Sequence, residues 1–407
     1  MGSISLASKA SCYLQELCVN IPTRRVGSPG NQQSTAYFKS IVQQFGFELE
    51  SQPFVCIGMR QGQIRLIAYE KIFEAFISPY SLACDVSAEL AVAATIDELE
   101  RVDAQAKLLL LRGEIAKEQL MPKNFVFYNP EEHQRIYNLL EAKQPAAVIT
   151  ATSRNPEAVG AIYPFPMIED GDFDIPAAYM TDIEGEKLAA FAGKTASLKM
   201  DSQRILSTGE NVVARKGSYS DHKVVVCAHI DSKEDTPGAL DNASGISILM
   251  LLAELLQDYD RRLGIEIVAL NGEEYYCVPG QMQYLNLAEG TYQKIILAIN
   301  LDDIGYFKDR SAFSLYGVPE KLAELIRSVY RRKADFFEGP AWYQSDHGIF
   351  IANNIPAMAV TEESFKDLLA EITHSEKDTP DIVDPSKLAA NAEALYELIL
   401  EIDKGGN

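Results

Sequence analysis

The chain has 407 residues and a formal net charge of −21, from 37 basic and 58 acidic side chains. That balance argues against nucleic acid and anionic membranes as partners, because both require basic patches. No apolar run approaches the roughly 18 residues of a membrane span, and the length leaves room for two or three domains of a globular protein. The acidity suits a substrate that carries a cation, with solubility alone an equally good explanation. The six cysteines (Cys12, Cys18, Cys56, Cys84, Cys227, Cys277) form no CxxC pair and read as free thiols. The start of the chain lacks a basic segment, an apolar core and a small-residue cleavage site. A cytoplasmic protein is therefore expected, or a secreted one if a leader has been removed ahead of Met1-Gly2-Ser3.

In chain order, residues 33–45 read as an amphipathic helix. Phe38, Ile41, Val42 and Phe45 fall on one face, and Gly46 ends the run. A strand over 47–56 follows. From 74 to 201 short β-like runs (107–111, 146–150, 175–180) are separated by polar helical stretches (131–143, 184–192), with prolines at Pro156, Pro164, Pro166 and Pro176. This block has no recognisable catalytic cluster and reads as an inserted domain, with 1–73 and 202–407 forming the rest. The C-terminal half alternates strands (223–230, 265–270, 294–300, 313–316, 355–361) with helices (244–257, 319–332). A last helix has Asp384 as N-cap and Pro385 at its first position. Such alternation implies an α/β fold, a mainly parallel mixed sheet sandwiched by helices. Ligands in these sheets bind beyond the carboxyl ends of the strands.

Candidate ligands gather at that edge. His229 and Asp231 close the 223–230 strand, Asp241 and Asn242 follow ten residues on, Glu273 and Glu274 follow the 265–270 strand, Asp302 follows the 294–300 strand, and His374 lies in a polar loop. Imidazole and carboxylate ligands suit zinc, and a two-metal hydrolase needs about two histidines, three carboxylates and one further carboxylate to move protons. The chain offers that set once. Taken singly, His229 would read as a satisfied core histidine and the Glu273-Glu274 pair as a solvated loop. It is their joint order that carries the assignment.

The pieces AHID, PGALDNASG, NGEEYY, INLDDIG, YQSDHGIF and THSEKDTPD, in that order, resemble metallopeptidase family twenty-eight, the co-catalytic di-zinc aminopeptidases. The resemblance covers about 14–55 and 209–403. It implies a zinc-dependent exopeptidase fold and two Zn2+ per chain, with Asp241 bridging, His229 and Asp302 on one ion, and Glu274 and His374 on the other. Glu273 would be the general base that activates a metal-bridging water, Asp231 would hold the His229 ring through its other nitrogen, and Asp378 would support the loop near His374. Of the two acids after the 294–300 strand, the pattern selects Asp302, and strand alternation would turn Asp303 away. Tyr343 is a candidate donor to the oxyanion, and Trp342 and Tyr306 are candidate pocket walls. His347 reads as structural, and His133 and His222 as surface residues. The 74–201 block resembles a β-rich protease-associated domain through DIPAAYMTDIEGEKL.

The function implied is removal of N-terminal residues from peptides, a peptide being the only partner expected. A carboxypeptidase on the same fold would need an arginine clamp, for which Arg310 and Arg332 are the candidates. The HIDSK segment loosely resembles glutaminyl cyclases, which use one zinc. A non-catalytic receptor on a peptidase scaffold would be expected to lack ligands, and none is missing.

Overall fold

A computed structural model describes residues 4–21, 23–217 and 222–405, which leaves the Met1–Ser3 start outside. The chain divides into two compact units, one of 1–56 with 208–407 and the other of 57–207. Two long strands, β1 (Glu48–Ala68) and β2 (Thr195–Lys216), carry the chain from one unit to the other. The expected limit at 201/202 falls inside β2, and that at 73/74 falls at the end of a short strand, Lys71–Phe73, that pairs back on β1.

In the first unit, α1 (Leu6–Gln15) and α2 (Pro29–Gln43) lead to β1. After β2 come β3 (Lys223–His229), α3 (Gly245–Leu255), β4 (Gly264–Leu270), α4 (Pro279–Ala288), β5 (Ile295–Leu301), β6 (Ser311–Tyr316), α5 (Glu320–Tyr330), β7 (Phe336–Glu338), α6 (His347–Ala352), β8 (Ala357–Glu362), α7 (Phe365–Glu371) and α8 (Pro385–Gly405). The sheet order is β7-β6-β8-β5-β3-β4-β2. β3 runs parallel to β4 and β5, and β5 parallel to β8, while β2 and β6 join antiparallel. The mixed, mainly parallel α/β sheet expected from the sequence is thus present.

Both faces of this sheet are covered, which is why its strands are continuous apolar runs. Along β3, Val224, Val226 and Ala228 enter a core shared with α1, α3 and α8, while Val225 and Cys227 enter the opposite core with Tyr284 of α4 and Phe350 of α6. α3, which falls within the 244–257 helix expected from the sequence, has almost no solvent-facing side. Every residue from Gly245 to Ala253 is buried, because α1, α2 and α8 pack around it. A helix apolar on all sides is stable only in such a central place.

The second unit has strands Cys84–Ala93, Leu108–Arg112, Ala147–Thr152 and Ala177–Thr181, paired in parallel in that order, with helices Glu131–Lys143 and Asp182–Ala189. His133 is not a surface residue. It shares the inner face of its helix with Ile136, Tyr137 and Leu140, is 7% exposed, and accepts the Met121 N–H through Nδ1 at 2.9 Å.

One buried cation ties the N-terminal segment to the end of β3. Arg24 is 2% exposed and donates to the carbonyls of Leu17, Ile230, Pro237 and Gly238 at 2.7–3.1 Å. It fixes both ends of the loop between β3 and Asp241. Charged donors contribute more than neutral ones, and losing them leaves buried carbonyls unpaired. Arg24→Met is expected to lower unfolding free energy by about 3 kcal/mol and to make the 231–238 loop the first site of limited proteolysis, read by urea denaturation and mass mapping of the fragments.

Candidate metal centre

The carboxyl ends of the parallel strands converge here. His229 is the last residue of β3, Asp302 directly follows β5, and Glu273 and Glu274 follow β4 after the turn Asn271-Gly272. Asp241 lies in the segment leading into α3, with a cis peptide bond to Asn242. Asn242 braces that segment, its amide donating to Leu301 O at 2.8 Å and its Oδ1 accepting the Gly245 N–H at 2.9 Å. Gly245 allows this approach, since a Cβ there would stand 2.4 Å from Asn242 Oδ1 and 2.8 Å from Leu301 O. The glycine of DNASG is thereby explained.

Two groups of ligating atoms result, His229 with Asp241 and Asp302, and Asp241 with Glu274 and His374. His229 Nε2 lies 3.1 Å from Asp241 Oδ1 and 3.4 Å from Asp302 Oδ1. His374 Nε2 lies 2.9 Å from Asp241 Oδ2 and 2.8 Å from Glu274 Oε1. The two oxygens of Asp241 therefore face different histidines. His229 Nε2, Glu274 Oε1 and Asp302 Oδ1 are buried and make no hydrogen bond.

Asp231 stands at the second ring nitrogen of His229 and has a further role besides. The His229 Nδ1 lies 3.2 Å from the Asp231 carbonyl oxygen, while the Asp231 carboxylate is 3.7 Å away. That carboxylate also accepts the backbone N–H groups of Gly272 and Glu273 on Oδ1 (2.9 and 3.3 Å) and of Glu274 on Oδ2 (3.0 Å). It holds the glutamate loop in place. Asp378 does the same for the bridging candidate, accepting the N–H groups of Leu240 at 2.7 Å and Asp241 at 3.1 Å. His374 itself has φ 61°, a left-handed backbone that side chains rarely adopt.

Asp303 is not turned away. β5 ends at Leu301, and Asp303 has φ 54°, so strand alternation no longer applies to it. Burial, then the Asp241, Asp302 and Asp378 carboxylates, hold its carboxyl well above the usual range. Burial likewise raises Glu273, with Glu274, Asp346 and Asp302 adding to the shift against the opposing effect of His229. For His229, burial opposes the charged form, but the carboxylates of Asp302, Asp231 and Asp241 outweigh it and raise it well above its usual value.

The SDHG block supplies supports rather than ligands. Ser345 Oγ donates to Asp302 Oδ2 at 2.6 Å and itself accepts from Asn300 at 2.9 Å. Gln281 donates to Asp346 Oδ1 at 2.7 Å. His347 is buried, with Nε2 2.9 Å from Trp342 O, so the structural reading of it fits. Trp342 is core rather than an open pocket wall, 7% exposed and packed on His347 and Phe365. Tyr343 is 66% exposed and sits edge-on to Tyr316, while Tyr306 is half-buried against Phe307. Arg310 is paired with Glu363 and Arg332 with Glu397. Arg24, Lys233 and Glu362 were missed in the sequence, since isolated charged residues carry no pattern. Only Lys233 stood in a block, HIDSK, that drew notice.

Residues 211–399 match the model of peptidase family M28. A "probable leucine aminopeptidase 2" of Aspergillus fumigatus is 32% identical over 176 residues, covering 40% of this chain and 35% of that protein. One of Aspergillus oryzae is 26% identical over 369 residues, covering 86% of this chain and 71% of that protein. The chain thus spans about a third of the length of the first relative and about seven-tenths of the second. The solved structure of a zinc aminopeptidase from Bacillus subtilis shares the fold, with a TM-score of 0.75 over 98% of this chain and 96% of that one, at 19% identity. Among the described residues no helix is long and apolar enough to cross a membrane.

Glu362, the last residue of β8, braces the turn after Asp302. It is fully buried, and its Oε1 accepts the Gly305 N–H at 2.6 Å and the Ser311 hydroxyl at 3.3 Å. Burial pushes its carboxyl from the ordinary 4.5 up to about 7. The folded chain therefore keeps a proton that the unfolded chain has released. The stabilising contribution is full below the unfolded value and is lost as pH rises through the folded one. Between the two values the loss amounts to about 3 kcal/mol. Glu362→Gln, neutral throughout, should gain on the wild type by about that amount across this window, read from urea unfolding at a series of pH values.

Proposed function

Residues 211–399 belong to peptidase family M28, and from that premise we propose that the protein is a zinc metallo-aminopeptidase working with two ions. The observation that carries this reading is the pair of ligand groups sharing Asp241. The donors suit zinc, which takes imidazole nitrogen and carboxylate oxygen. The buried atoms without hydrogen bonds, His229 Nε2, Asp302 Oδ1 and Glu274 Oε1, are those a cation would satisfy. In this assignment His229 and Asp302 would hold one ion, Glu274 and His374 the other, and Asp241 would be available to both.

When bound, zinc polarises a peptide carbonyl, lowers the pKa of a coordinated water and stabilises developing negative charge. The remaining work falls to side chains of this chain. Glu273 takes a proton from the attacking water and gives it to the leaving amine. Water and peptide thus become a carboxylic acid and an amine. Its backbone N–H, held by Asp231, fixes where that proton is picked up. Asp231 and Asp378 bind backbone amides, so the loops bearing Glu274 and Asp241 are set before substrate arrives.

An N-terminal rather than a C-terminal substrate is favoured by two features. The chain is strongly acidic, with a net charge of −21, which suits a free α-ammonium. The two arginines considered as a carboxylate clamp are engaged with Glu363 and Glu397. The names of the Aspergillus relatives, leucine aminopeptidases, agree with this choice.

The test pairs zinc content with a screen of aminoacyl, C-terminal and glutaminyl substrates. About two zinc per chain and hydrolysis of aminoacyl amides are expected. One zinc with cyclisation of glutaminyl peptides would sink the proposal. Glu273→Ala should keep its zinc while turnover falls by about 100- to 10,000-fold. Loss of zinc instead would mean that Glu273 and Glu274 exchange roles.

A further inference from the structure

Resting on the two-ion reading, we infer that the ammonium of Lys233 makes the two metal positions unequal, weakening the one built from Glu274 and His374. Lys233 Nζ lies 3.4 Å from Glu274 Oε2 and donates to the Glu274 carbonyl oxygen at 3.3 Å. The other carboxylate oxygen of Glu274, Oε1, faces His374 Nε2 at 2.8 Å. One carboxylate is therefore divided between a metal position and a fixed cation.

The matching carboxylate of the other position is treated differently. Asp302 Oδ1 faces His229 Nε2 at 3.4 Å, and its second oxygen accepts from the neutral hydroxyl of Ser345 at 2.6 Å. Each position thus has two carboxylates, Asp241 being common to both, and one histidine. Among the described residues, a lysine or arginine stands against a ligand carboxylate at the Glu274 position alone.

The ammonium is well placed to act. Its side chain is 22% exposed and that of Glu274 is 5% exposed, so solvent screens the pair weakly. The Lys233 carbonyl accepts from Thr236 Oγ1 at 3.0 Å, and Arg24 holds Pro237 and Gly238 a few residues on. The lysine therefore starts from an anchored backbone. Its charge opposes a dication at the Glu274 position, and its contact with Oε2 competes with two-oxygen binding of the ion by that carboxylate. Zinc then fills the His229 position first, and the Glu274 position only at higher free zinc.

The test is calorimetric titration of zinc into the metal-stripped full chain, with zinc content counted by mass spectrometry, for wild type, Lys233→Met and Lys233→Arg. The wild type should take zinc in two steps. In K233M the second step should tighten about tenfold or more while the first shifts by less than about twofold. K233R, which keeps the charge, should retain the wild-type separation. Near-ultraviolet circular dichroism of the three apo proteins checks that they share one fold. Two equal steps in the wild type, or a second step in K233M that is unchanged or weaker, overturns the inference and leaves the two-ion reading intact. Uptake of no more than one zinc by all three proteins overturns both.

Discussion

The structure depends on how a crowd of acids is kept at one buried edge. Asp231, Asp241, Glu274, Asp302, Glu362 and Asp378 are all buried near the carboxyl ends of the central strands or in the loops that follow them. An unpaired buried carboxylate is costly, and several side by side repel one another. Each is met by a specific device. Asp231 takes three backbone amides and Asp378 takes two. Asp302 takes a serine hydroxyl, Glu362 an amide and a hydroxyl, and Glu274 a lysine. Asp241 lacks any such helper on its side-chain oxygens and has only the two histidines. It stands where cations are most needed.

This arrangement also explains why the fold is built as it is. Parallel strands buried on both faces end together, and their last residues leave the ladder with backbone groups free to bind side chains. Asp231, two residues beyond β3, uses the free amides that follow β4, so neighbouring strands lock one another's loops. Stiff apolar strands set position, and carboxylate-to-amide bonds set orientation.

Much of this was legible in the sequence. The apolar runs 223–230, 265–270 and 294–300 gave β3, β4 and β5 within about two residues, since period and turn signals agree there. The candidate ligands were legible through their joint order. What was hidden depended on contacts between distant segments. The complete burial of α3 follows from helices more than a hundred residues away in the chain, and the inward face of His133 from an imidazole's ability to accept a backbone N–H. Asp303 was misjudged because alternation holds only while the strand lasts, and its positive φ lies two residues past the end of β5. Arg24 and Lys233 were not singled out by any local pattern. Nothing local marks an arginine that will bind four carbonyls.

The two candidate positions differ in how they are delivered. His229 and Asp302 stand at the ends of adjacent parallel strands, β3 and β5, whose register is fixed by the sheet. Glu274 and His374 come from loops, the second with a strained backbone. Loop ligands can shift at lower cost than strand-end ligands, because fewer buried contacts resist them. On the proposed reading, the site admits a peptide and releases two products, which is easier with one compliant side and one rigid side. The sheet supplies the rigid one. The amide-anchored glutamate loop, with Lys233 against its carboxylate, is stiffened only as far as a few hydrogen bonds allow, and that puts the freedom to adjust on the side of Glu274 and His374.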